Sequence, residues 1–310
     1  MLRTRQFYHM SLKTGKTAID LFLTKEKYKT DNFIAFLGGE PLINFSFIRD
    51  LVRYTKKEYS KKQIFFLLST NGLLFNKEII KFIKTNKILV KLSVHGNNNG
   101  LSKNINDLLG YRNLGITIVV NKNTGKLYDQ FIYFVNLGIK RFYFNFDFIN
   151  SDFNDNFLNI LKGELRRISD FIIKQNGCGG FFINYIHGKT WNQLCRLDNA
   201  VTNKKPCFMK NYEEGNLYIM PTGDIFPCSI GTFTSSKDKY DFFRIGNINT
   251  SNYLSIKKNI LGLAKGLNQE EKNNLFCLEK KIISTKTKVE GILKKEHEYS
   301  NRAILGNVGN

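Results

Sequence analysis

Cysteine is missing where it would matter most in this chain. The 310 residues carry five, and none precedes Cys178. Five scattered thiols in a chain this long exclude a secreted disulfide framework and point to a reducing cytoplasm. Acidic residues are also scarce, with 26 Asp and Glu against 47 Lys and Arg, for a formal charge of +21. No run of about 20 apolar residues occurs, and the N-terminus has no apolar h-region, so neither a membrane span nor a secretory signal is indicated. Proline is rare, at four residues, beside abundant Asn, Ile and Phe, a bias typical of AT-rich coding sequence.

The positive charge raises the question of nucleic acid, because clustered Lys and Arg bind phosphates through counterion release. Here the lysines are spread along almost every helical pattern, so charge alone does not select nucleic acid as the partner. An acidic peptide is an equally economical one. The length accommodates one large domain and a smaller one.

Over about 190 residues, apolar runs alternate with helical patterns. Strands are expected at 33–37, 64–69, 89–94, 116–121, 141–148 and 181–186, and helices at 17–23, 43–57, 77–85, 103–113, 127–137 and 156–175. Such alternation predicts parallel βαβ units with right-handed crossovers. Strands of this kind are expected to be apolar on both faces.

Short polar signatures close three of these runs. Gly38-Gly39-Glu40-Pro41 follows the first, Ser69-Thr70-Asn71-Gly72 the second and Ser93-Val94-His95-Gly96 the third. Glycines without side chains admit a ligand close to the backbone, Glu40 adds a carboxylate, and Pro41 can open a helix. By itself Gly-Gly-Glu-Pro also reads as an ordinary strand-to-helix turn, and Glu40 as a helix-start acid stabilised by the dipole. Polar residues at the carboxyl ends of successive parallel strands are how a barrel assembles one site from distant segments.

In that order, the three signatures resemble the radical S-adenosylmethionine (radical SAM) superfamily, and most closely its members with a C-terminal SPASM domain, many of which mature ribosomally made peptides. The resemblance runs from about Met10 to Cys277. It implies an α/β fold, a partial (β/α) barrel of radical SAM type lacking its first strand, over residues 1–190. A small degenerate SPASM-like domain and C-terminal tail would occupy residues 191–310. It also implies a SAM pocket lined by Gly38, Gly39, Glu40 and Pro41, with Thr70, Asn71, Ser93 and Asn121. Glu40 would receive the methionyl ammonium, and Asn121 would reach a ribose hydroxyl. Thr70 and Asn71 could instead cap the helix that begins near Asn76. His95 stands where many relatives carry Asp and is read as a surface histidine.

The family holds its catalytic 4Fe-4S cluster with a C-x3-C-x2-C loop upstream of Gly-Gly-Glu-Pro, and the chain has no cysteine there. Arg5 to Ser11 looks like the segment that follows that loop, so an N-terminally truncated or degenerate member is expected. Removing the first strand would leave the strand at 33–37 as an exposed edge.

Past residue 200, Cys207, Gly223 and Cys228 form a C-x15-G-x4-C pattern around a hairpin centred on Pro221-Thr222-Gly223-Asp224. The pattern is similar to the opening of a SPASM domain, where such cysteines ligate auxiliary 4Fe-4S clusters. With Cys277 they supply three thiolates, whereas one four-iron cluster usually takes four. Cys195 could complete the set. Buried free thiols, or a zinc site with His187, are the alternatives.

The function implied is that of a radical SAM/SPASM peptide maturase acting on a ribosomally made precursor peptide, inactive as written because the cluster loop is absent. The alternative is a non-catalytic protein that binds a peptide or pairs with an intact maturase.

Overall fold

The fold was obtained as a computed structural model, which describes residues 9–24, 32–94, 103–121, 124, 126–146, 153–175, 181–183, 217–227, 244–252, 255–256, 258–259, 262, 289, 291–296 and 298. The strands are β1 (Asn32–Phe36), β2 (Ile64–Thr70), β3 (Leu89–Val94), β4 (Leu114–Val120), β5 (Arg141–Phe146) and β6 (Phe182–Ile183). They form one six-stranded sheet in chain order, with β1 at its edge. From β2 to β6 every pairing is parallel. The expected α/β architecture is therefore present as an open parallel sheet, with no closed barrel among the described residues. Phe33 on the edge strand is 54% exposed.

By internal contacts the chain divides into two compact units. One comprises Ala35–Pro41, Phe66–Arg196 and Asn273–Asn310, and contains most of the sheet. Its helices are α3 (Lys77–Thr85), α4 (Leu127–Asn136) and α5 (Asp155–Lys174). Asn76 caps α3 by accepting from the Ile79 amide at 2.8 Å, and Asn154 caps α5 by accepting from Phe157 at 2.9 Å. Both satisfy an amide that a helix start leaves orphaned. Registered residues share a face. Leu68, Val90 and Asn113's neighbour Leu114 alternate into the same buried layer as Leu92, Ile116 and Phe142. Phe131 of α4 meets Phe142 at 4.7 Å between ring centroids and Phe171 of α5 at 5.6 Å, so the helices cover this face.

The opposite face departs from expectation. It carries half-buried Ser69, Lys91, Ser93 and Tyr143 together with buried Thr117, so the strands are not apolar on both sides. The packing of α4 and α5 on the first face leaves the polar positions of these strands on the second. The segment expected as a helix over 103–113 is a 3-10 turn, Lys103–Leu108. It buries Ile105 and Leu108, and Gly110 at φ +78° takes the chain out of helical geometry just beyond it.

The second unit comprises Met1–Ile34, Leu42–Phe65 and Leu197–Lys272. Helices α1 (Leu12–Leu23) and α2 (Phe45–Glu58) pack where Gly15 admits the Phe47 ring, which would lie 2.8 Å from an added Cβ. The helix at 17–23 starts earlier than expected, because Ser11 caps it by accepting from the Thr14 amide at 3.0 Å. Tyr54 and Tyr59 both donate to one oxygen of Asp20, at 2.7 and 2.8 Å. Phenol donation and the nearby carboxylate push Tyr54 up to about 12. Burial and the same partner push Tyr59 higher still.

The same unit contains the expected hairpin, β7 (Tyr218–Ile219) and β8 (Asp224–Phe226), extended by β9 (Gly246–Asn247). Gly223 turns it at φ +89°, which favours glycine. Asp224 accepts from Thr222 at 2.6 Å and from Asn247 at 3.0 Å, and Arg244 lies at 3.3 Å. Burial opposes ionisation of Asp224, but these donors outweigh it and hold its carboxyl below the usual range. The expected boundary at residues 190 and 191 lies outside the described residues.

Candidate functional site

The loop after β1 and the end of β2 are joined through one carboxylate. Glu40 accepts from the Thr70 hydroxyl at 2.7 Å on one oxygen and from the Asn71 amide at 2.9 Å on the other. Thr70, 2% exposed, in turn accepts from the Gly72 amide at 3.0 Å. Asn71 turns back on itself, accepting from the Leu73 amide at 2.9 Å. Thr70 and Asn71 thus do not cap α3, which Asn76 does. They fasten Glu40, and Pro41 then opens a 3-10 turn, Pro41–Asn44, leading into α2.

The two glycines ahead of Glu40 are exposed, and a Cβ at either would meet nothing within 4 Å. Gly38 also sits at φ +142°, which L side chains rarely adopt. Gly72, at φ +75°, is crowded instead: a Cβ there would come within 2.6 Å of Leu92 and 2.9 Å of Phe75. The first pair offers open backbone, and Gly72 closes a packed turn.

Asn121 follows β4. Its amide donates to Thr124 at 2.6 Å, and the Thr124 hydroxyl also lies 3.1 Å from the Val119 carbonyl. Buried Gln130 of α4 donates to the Thr124 carbonyl at 2.8 Å. Sequence reasoning named Asn121 but missed Thr124 and Gln130, which fix its loop. Buried polar residues beside a strand end were the available signal.

On the sheet face opposite α4 and α5, Ser93 of β3 stands in register with Thr117 of β4, and Thr117 with Tyr143 of β5. Lys91 stands in register with Gly115. Having no side chain, Gly115 lets the Tyr143 ring lie across it; an added Cβ would be 2.7 Å from that ring. The Lys91 ammonium sits 4.3 Å from the same ring's centroid. Burial pushes Lys91 below the ordinary lysine value, since its charged form is desolvated. Thr117 is 4% exposed, and its hydroxyl has no hydrogen-bond partner among the described residues. Neither residue was singled out from the sequence. A lysine inside an apolar run was the signal for the first, and nothing local marks the second.

His95, Cys178, His187, Cys195, Cys207, Cys228 and Cys277 lie outside the described residues. Among the described residues no cluster of His, Cys, Asp and Glu could hold a metal ion. None of the described helices is long and apolar enough to cross a membrane.

Residues 4–107 match the family described as a 4Fe-4S single cluster domain. An uncharacterised protein of Methanocaldococcus jannaschii is 28% identical over 268 residues, covering 80% of this chain and 82% of its own. A cysteine-type anaerobic sulfatase-maturating enzyme of Clostridium novyi is 32% identical over 115 residues, 31% of each chain. Among solved structures, the anaerobic sulfatase-maturating enzyme anSMEcpe with bound AdoMet superposes with a TM-score of 0.62 at 20% identity, covering 98% of this chain and 93% of that one. The same enzyme with AdoMet and the Cp18Cys peptide gives 0.63 at 21%, covering 99% and 94%. The chain thus shares the fold of anSMEcpe, and over about a third of its length it is similar in sequence to a sulfatase-maturating enzyme. The stretch matched to the cluster domain contains no cysteine, so it lacks the thiolate donors that such a cluster takes.

Proposed function

We propose that this chain is a SAM- and peptide-binding protein of the radical SAM/SPASM maturase type that does not itself carry out reductive cleavage of SAM. The observation that carries the reading is the match to a 4Fe-4S cluster domain across 104 residues, 4 to 107, with no cysteine among them. The residues present do not fit a thiolate-held catalytic cluster, and no step is derived through one. Cys207, Cys228 and Cys277 would hold at most an incomplete auxiliary cluster.

For SAM the residues do offer a fit. Open backbone at Gly38 and Gly39 leaves room for a ligand, and Glu40 is held in one orientation by Thr70 and Asn71. In this reading the Gly38 to Pro41 loop holds the methionyl ammonium, and Ser93 and Asn121 serve the nucleoside end. SAM would supply sulfonium chemistry when bound. The protein's own part is to orient it, with Glu40 prealigned by two donors rather than swinging freely. A ribosomally made precursor peptide is the proposed partner, supported by the solved relative that holds a peptide.

The test is anaerobic purification of the chain, reconstitution with iron and sulfide, and incubation with SAM and dithionite. No 5′-deoxyadenosine above a no-protein control is expected; its formation would overturn the reading. Calorimetry with SAM is expected to show weak binding, and submicromolar affinity would contradict an account in which no iron chelates the ligand.

The exposed Phe33 and Phe65, stacked at 5.2 Å, support a second reading in which the chain pairs with an intact maturase. Co-expression with such a maturase followed by size-exclusion chromatography separates the two. A stable heterodimer would support this second reading.

A further inference from the structure

We propose that Lys91 and Thr117 form a carboxylate subsite on the sheet face opposite α4 and α5, one that takes an acidic side chain of the bound peptide. The proposal deepens the peptide-binding reading above and rests on it. Two observations carry it. Thr117 is 4% exposed, yet its hydroxyl has no partner among the described residues, and an orphaned buried hydroxyl costs stability unless a ligand satisfies it. Lys91 forms no ion pair among the described residues and lies against an aromatic face instead.

The surroundings explain why an anion, and a flat one, would suit. Gly115 leaves a gap across which Tyr143 lies, so the ring backs the ammonium and limits its position. Cation–π contact compensates only part of the desolvation of a buried lysine, which is why burial pulls its pKa down. A carboxylate accepts from the ammonium with one oxygen and from a hydroxyl with the other. It would restore the charge partner of Lys91 and the hydrogen bond of Thr117 together. No acidic residue is registered on this face of β2 to β5 among the described residues.

The experiment uses the full chain labelled with 13C-lysine and two probes, N-acetyl-aspartate amide and its isostere N-acetyl-asparagine amide. NMR follows the lysine Cε resonances. The aspartate probe is expected to shift one lysine signal saturably, and the signal is assigned by its loss in Lys91→Met. Thr117→Val is expected to weaken binding roughly tenfold, the scale of one hydrogen bond to a charged group. The asparagine probe is expected to leave the signal unmoved.

Both variants keep an apolar stem of similar volume. Thr117→Val is expected to melt no lower than the parent chain, because it removes an unsatisfied group. Three results would overturn the subsite: no saturable shift, a shift that persists in Lys91→Met, or equal responses to the two probes. Such a failure leaves the SAM-cleavage assay unaffected, so the two proposals fall separately.

Discussion

Replacing Glu40 tests whether the Gly-Gly-Glu-Pro loop is fastened to the end of β2 as the geometry indicates. Glu40→Ala removes two charge-assisted bonds, from the Thr70 hydroxyl at 2.7 Å and the Asn71 amide at 2.9 Å. Hydrogen bonds to a charged group contribute about 1.5–3 kcal/mol each. Glu40 is half-buried, so its carboxylate keeps some water and the lower end applies, giving a loss of about 2–3 kcal/mol. Glu40→Gln should cost about 1 kcal/mol, because the amide can still pair with the Thr70 hydroxyl, which donates or accepts, but presents a single acceptor. Urea unfolding gives the stabilities, with unchanged m-values confirming that the denatured state is unaffected. Hydrogen exchange of the Asn71 amide reports the bond itself, and it should accelerate in Glu40→Ala. Parental stability together with parental Asn71 protection in Glu40→Ala would refute the fastening.

Gly72→Ala should destabilise by about 2–4 kcal/mol in urea unfolding, since φ +75° disfavours a side chain and the new Cβ would lie 2.6 Å from Leu92. Gly39→Ala, with nothing within 4 Å of its Cβ, should be close to neutral in the same assay. The phenols of Tyr54 and Tyr59 are raised above their ordinary value near 10 by donation to Asp20 and by burial. Their contribution is therefore complete below pH 10 and is lost as pH climbs towards about 12, so melting temperature should fall in that window, and less steeply in Asp20→Asn. Glu296 is fully buried and accepts from Arg166 at 2.6 and 2.9 Å. Because the Arg166 side chain is 41% exposed and can rehydrate, Glu296→Ala should cost about 1–3 kcal/mol by urea unfolding rather than the larger loss of a fully buried pair.

The alternation of strands and helices, and hence the parallel sheet, was determined by the sequence alone, because apolar runs and amphipathic periods are local. The Lys77–Thr85 helix and Leu89–Val94 strand have the bounds that their patterns predict. Gly38 and Gly39 were legible as open backbone at a strand end from residue type, and Gly223 as the hairpin turn. The missing cysteines were legible from composition, and they govern the functional reading more than any distance does. Tertiary structure decided the rest. Thr70 and Asn71 look like cap residues in sequence, and only the 30-residue separation between Glu40 and Thr70, closed in space, makes them partners of a carboxylate. The 103–113 pattern is helical in its apolar spacing, but chain direction beyond Gly110 limits it to a 3-10 turn. Lys91 and Thr117 lie in different strands, and strand register is a long-range property, so no linear pattern reveals that both occupy the face opposite α4 and α5.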